Sequence, residues 1–177
     1  MMSWPSFRRW PVAEGDGKSI FEEKQSDPHM AEKFFLTDAP IDRQALIAEV
    51  MRLSDGACLV FEGAVRNHHE GRAVESIYYD AYRPMAEKEM GRIVAKVSSH
   101  LPDVGIAVCH RLGQLAVGEV SIIIVCASPH RGEAFEACRM LIDRIKESVP
   151  IWKRERGAGG DEWVGWQSAG NARKESE

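Results

Sequence analysis

The run VSIIIVCA, Val120 to Ala127, constrains the fold of this chain more than any other stretch. It is apolar except for Ser121, rich in β-branched residues, and the longest such run in the sequence. A membrane-crossing helix needs about 20 apolar residues, so this segment is far too short to span a bilayer. It reads instead as a buried strand. Directly after it comes SPHRGEAFEACRMLIDRIKESVPIWKRE, Ser128 to Glu155. That stretch predicts a long helix that stops before Pro150, because proline disfavours a helical predecessor. Ser128 is the expected N-cap and Pro129 the expected first helical residue. The IWKRE segment beyond Pro150 is expected to be short and extended.

The remaining chain repeats this alternation. KFFLTD (33–38) reads as a strand. PIDRQALIAEVMRL reads as a helix with Pro40 in its first turn. ACLVFEGAV (57–65) alternates as a strand does, RNHHEGR is a polar loop, and AVESIYYDAY is a further strand. RPMAEKEMGRIVAKVSSHL predicts a helix ended by Pro102. VGIAVCHRLG is a strand, QLAVGE a turn, GAGG a flexible turn and DEWVGWQ a last strand. Hairpin-like strand pairs thus alternate with about three helices. That pattern favours an α+β fold with a mostly antiparallel sheet over a doubly wound parallel one.

The 177 residues suit one domain with tails. Residues 1–32 lack sustained periodicity and are rich in Gly, Pro, Ser and charge, without the apolar core of a signal peptide. They are expected to be disordered or an upstream extension, although Trp4, Phe7 and Trp10 keep a docking role open. The folded domain is expected over 33–167, with a polar tail over 168–177. Cys58, Cys109, Cys126 and Cys138 form no CxxC pair and read as buried, reduced thiols of a cytoplasmic protein. The net charge of −4 argues against a general nucleic-acid binder, but not against a local basic pocket. No membrane partner is expected.

On a helical wheel with Phe135 at zero, Cys138, Ile142, Ile145 and Val149 fall on one side with Ala134 and Leu141 flanking, and Lys146 lies at the border of that stripe. A lysine there either snorkels, its stem packed and its amine wet, or serves as a partly desolvated amine for nucleophilic or acid–base work. A turn after Pro150 would bring Lys153 and Arg154 towards Lys146 and create an anion site. At the other end of the helix, His130 and Arg131 join free N–H groups that favour phosphate or carboxylate. The two ends lie more than ~20 Å apart at about 1.5 Å per residue, so either the substrate is extended or two subunits contribute. Arg66 and Asn67 follow a strand end, where Arg66 suits an anion. His68 and His69 lack metal-ligand spacing, so no metal and no cofactor is expected. His110 and Arg111 carry no functional assignment on their own.

Five segments in order carry a resemblance: FEGAVRNHHEGR, YYDAYRPMAEKEM, HRLGQLAVGE, the Ser128–Glu155 stretch and GDEWV. Together they are similar to the large, catalytic subunits of molybdopterin synthases, the MoaE family, over about 34–167. The resemblance implies an α/β hammerhead fold, a homodimer, and a heterotetramer with a small ubiquitin-like sulfur carrier ending in a Gly-Gly thiocarboxylate. It implies a sulfurtransferase of molybdenum cofactor biosynthesis, in which sulfur passes from two such carriers to cyclic pyranopterin monophosphate to form the dithiolene of molybdopterin. Lys146 and Lys153 match the family's catalytic lysines, and Arg66, His130 and Arg131 match its substrate-binding residues; Arg154 is grouped with the latter by its place beside Lys153. Relatives often carry a basic residue near Gln167, where Arg173 or Lys174 would have to substitute. The competing readings are a non-catalytic subunit that docks a ubiquitin-like tail, and an enzyme acting on another small phosphorylated anion.

Overall fold

The computed structural model describes residues 32–157 and 160–164. The expectations for the two termini, and for Gln167, Arg173 and Lys174, fall outside that range. Strands β1 (Glu32–Thr37), β2 (Ala57–Ala64), β6 (Gly105–Arg111) and β8 (Val120–Ser128) form one sheet in the order β1-β6-β8-β2. Within it β1 runs parallel to β6, and the other pairs are antiparallel. Strands β5 (Ser76–Ala81), β7 (Gly113–Ala116), β9 (Ile151–Gly157) and β10 (Gly160–Val164) form an antiparallel second sheet, ordered β10-β9-β5-β7. Helices α1 (Arg43–Val50), α2 (Arg83–His100) and α3 (Arg131–Ser148) complete the expected α+β class. No described helix is long and apolar enough to cross a membrane.

The Val120–Ala127 run is apolar because β8 is covered on both faces. Ile122, Ile124 and Cys126 join the core cluster with α2 and α3, while Ile123, Val125 and Ala127 join the one with α1. Successive strand residues point to opposite sides, so only a doubly covered strand selects against polar residues at nearly every position. β6 divides the same way, with Ile106 and Val108 towards α2 and α3 and Ala107 and Cys109 towards α1.

Four local expectations require correction. Pro40 precedes α1 rather than entering its first turn; Asp42 is the N-cap, and its carboxylate accepts from the Ala45 N–H at 3.0 Å. RNHHEGR is not a plain loop, for β3 (His68–His69) and β4 (Arg72–Ala73) pair across it. Glu70 and Gly71 take φ of 48° and 79°. Two successive positive φ values give the hairpin turn whose twist matches its strands, and glycine takes one of them without strain. QLAVGE contains β7 before its turn. Finally, α3 begins at Arg131 with His130 as N-cap. Ser128 sits fully buried two residues earlier, where its hydroxyl accepts from the His130 N–H and donates to Glu133 at 2.7 Å. The extended Ser128 is thereby retained by β8.

The buried stripe of α3 is also rotated from the expected one. It comprises Ala134, Ala137, Cys138, Leu141 and Ile145, and Phe135 is 61% exposed. The small residues at 134 and 137 let the helix approach the sheet, which turns Phe135 outward. Lys146 is consequently exposed in the single chain rather than half-sheltered. Of the cysteines, Cys58 is exposed on β2 and the other three are buried.

Candidate active site

A cavity of about 740 Å³ opens where the C-terminal end of α3 meets the second sheet. Three cations reach it from three different elements: Arg66 from the connection after β2, Lys146 from the last turn of α3, and Lys153 from β9. Lys146 lies where the negative end of a helix dipole favours a cation. The break after α3 sets its distance from Lys153. The Val149 N–H closes the helix on Ile145 O at 3.1 Å, and the Ile151 N–H then bonds Val149 O at 2.8 Å, starting β9 at once. β9 also passes very near β4, since a Cβ on Gly157 would lie 2.2 Å from Ala73 O. A glycine is therefore required there.

β9 sorts its side chains by parity. Lys153 and Glu155 face the cavity. Arg154 takes the opposite face, 5.5 Å from the Tyr78 ring and 5.4 Å from the Trp163 ring, with Asp161 3.8 Å away. The expectation that Arg154 joins Lys146 is corrected by this alternation, which a strand imposes and a turn would not. His130 and Arg131 lie at the far end of α3, exposed and outside the cavity of their own chain, ~23 Å from Lys146 along the helix at about 1.5 Å per residue.

Sequence reasoning missed two features of the site. The first is Glu155, only 5% exposed, whose carboxylate is 2.8 Å from the Lys153 ammonium and 3.0 Å from His69 Nδ1. The His69 approach is a close polar contact without an aligned hydrogen bond. Burial alone would raise the Glu155 carboxyl, but the hydrogen bond and charge of Lys153, with His69, hold it below the usual carboxylate value. Period-two spacing in WKRE was the available signal, since it pairs Lys153 with Glu155. The second is the Tyr79 and His110 wall. Their rings meet edge to face at 5.1 Å. Burial pushes the Tyr79 hydroxyl up, against a smaller opposing influence from Ser121. Burial lowers His110 to about 4, so its imidazole is neutral near pH 7. Arg111, by contrast, is occupied structurally: it donates to Glu119 at 2.8 Å across the β7–β8 turn. No grouping of His, Cys, Asp and Glu suited to a metal ion occurs among the described residues.

The site is a cavity lined by cations at the C-terminus of α3, between the two sheets of a mixed α+β fold, and the positive charge gathered there suits an anion. The family model described as MoaE protein matches residues 36–148, and the chain belongs to the MoaE family. It is 39% identical over 130 residues to molybdopterin synthase catalytic subunit 1 of Mycobacterium tuberculosis, covering 73% of this chain and 88% of that protein. It is 35% identical to the crystal structure of molybdopterin synthase from Staphylococcus aureus, with a TM-score of 0.71 over 77% of this chain and 99% of the other. The fold is also shared, at 20% identity and a TM-score of 0.59, with a chain of a two-subunit complex of molybdopterin-converting factor from Helicobacter pylori, over 81% and 92% of the respective chains.

Proposed function

We propose that this chain is the catalytic subunit of a cytoplasmic molybdopterin synthase, a sulfurtransferase acting on cyclic pyranopterin monophosphate. The observation that carries the reading is the convergence of Arg66, Lys146 and Lys153 on one cavity in a chain with net charge −4. An acidic protein that gathers three cations at one place has built a site for an anion. Here two anions meet: the substrate's phosphate and the thiocarboxylate of a small ubiquitin-like carrier, whose Gly-Gly tail enters the cavity.

The carrier's thiocarboxylate sulfur bonds to a carbon of the pterin side chain as a carbon–oxygen bond at that carbon breaks, the oxygen leaving on the ring-opened phosphate at one carbon and as water at the other, and the carrier acyl group stays attached through sulfur. Water then cleaves the acyl–sulfur bond, which frees the carrier as a carboxylate and leaves sulfur on the pterin. A second carrier repeats the step and completes the dithiolene. Lys146 lies beside the carbonyl carbon, where its amine handles proton or acyl transfer and its charge stabilises the oxyanion that develops. Lys153, steadied by Glu155, holds the pterin. Arg66 binds phosphate, and His130 and Arg131 of a second copy complete that anion site in a homodimer. The far-end location of the pair in each chain is the reason a second copy is needed. Two carriers on such a dimer make the heterotetramer.

Isothermal titration separates this reading from an enzyme for other phosphorylated anions. Cyclic pyranopterin monophosphate is expected to bind at least ~10-fold more tightly than nucleoside monophosphates, a difference of about 1.4 kcal/mol. Preference for the nucleotides would contradict it.

A further inference from the structure

We propose that His110 is a specificity-determining residue, a fixed neutral acceptor that takes a hydrogen bond from a ring N–H of the bound substrate. The inference rests on the pterin reading above and names the part of the cavity that recognises the ring rather than the charge. His110 is only 7% exposed, yet it lines the cavity. Parity on β6 sets its direction: it shares the face of Ile106 and Val108, and at the end of the strand it continues past their core into the cavity beside Ile122 and Ile145.

The tautomer follows from one contact. Nδ1 is 2.9 Å from the Arg111 carbonyl oxygen, which can only accept, so Nδ1 carries the proton. Nε2 is then a bare acceptor. It has no hydrogen-bond partner among the described residues and is not sealed from solvent, so it is open to the cavity that His110 lines. A buried acceptor without a partner costs stability unless a ligand or water satisfies it. Protonation of Nε2 is opposed by burial, which keeps the group an acceptor near pH 7. Arg66, Lys146 and Lys153 supply only donors, so they select anions without regard to the ring attached. A reduced pterin presents several N–H donors, and His110 answers that chemistry. A ligand offering only acceptors at this edge leaves both groups unsatisfied and is rejected.

The test titrates wild-type protein, His110→Phe and His110→Gln with cyclic pyranopterin monophosphate and with a simple cyclic phosphate ester that lacks ring N–H groups. Phe keeps the ring against Tyr79 but removes the acceptor; the Gln amide both donates to Arg111 O and accepts. The pyranopterin Kd is expected to rise at least ~10-fold in His110→Phe and to return to within ~3-fold of wild type in His110→Gln, with the ester unaffected in both. In wild type labelled with 15N-histidine, the Nε2 resonance is expected to remain that of an unprotonated nitrogen and to shift with pyranopterin but not with the ester. Unchanged pyranopterin binding in His110→Phe, equal losses for both ligands, or an Nε2 resonance that ignores the pyranopterin overturns the proposal. The NMR arm needs no variant to fold. Wild type that fails to bind pyranopterin at all refutes the pterin reading itself, which is a distinguishable result.

Discussion

Replacing Lys146 with alanine is expected to lower the rate of dithiolene formation ~10³-fold while leaving carrier affinity within ~3-fold of wild type. Lys146 is exposed, makes no ion pair among the described residues, and caps no buried group, so its removal costs the fold little. The loss therefore falls on chemistry. Lys146→Arg extends the test: it restores the charge at the end of α3 but not a compact amine able to exchange a proton. Its rate is expected to stay below about a tenth of wild type. Single-turnover assays with thiocarboxylated carrier, paired with carrier titration, measure both quantities. A Lys146→Ala enzyme that forms product at the normal rate would remove Lys146 from the mechanism.

Glu155→Gln is expected to lower stability by about 2 kcal/mol at pH 7 and turnover by ~10². The carboxylate is nearly sealed beside the Lys153 ammonium and the His69 ring, so the neutral amide leaves that ammonium without its counter-charge. The pH dependence fixes the cause. Glu155 titrates below its usual value in the folded chain, so the unfolded chain takes up the proton first as pH falls. The stabilisation is thus complete above the unfolded value and is lost as pH drops through the folded one. Glutamine does not titrate. Urea unfolding from pH 7 to pH 3 should show the wild type converging on the variant at the acid end; parallel curves would mean that the pair contributes nothing.

The sequence carried much of the fold because its strongest signals are local. The Val120–Ala127 run, the long stretch before Pro150 and the strand-like Ala57–Val65 each announce their element through composition and period. What it concealed depends on partners far away in the chain. His68–His69 is a strand only because Arg72–Ala73 folds back on it, and two-residue strands leave no period to read. The rotation of α3 depends on Ala134 and Ala137 lying in the core, where a wheel centred on Phe135 places Ala134 only at the flank of the stripe and leaves Ala137 out. Lys146, Lys153 and Arg66 were legible as cations near element ends. Glu155 was not, because an acidic residue among Lys153, Arg154 and Arg156 looks like a surface partner until strand parity turns it inward. His110 was equally hidden, since its meaning depends on a tautomer fixed by the neighbouring carbonyl.

The most direct measurement of the central claim is reconstitution. Purified chain, thiocarboxylated carrier and cyclic pyranopterin monophosphate are mixed, and molybdopterin is read by the fluorescence of its oxidised form. The account predicts one molybdopterin for every two carriers consumed, with none formed when the carrier ends in an ordinary carboxylate. Tight binding of the carrier tail with no sulfur reaching the pterin would show that this cavity docks a partner without performing the transfer.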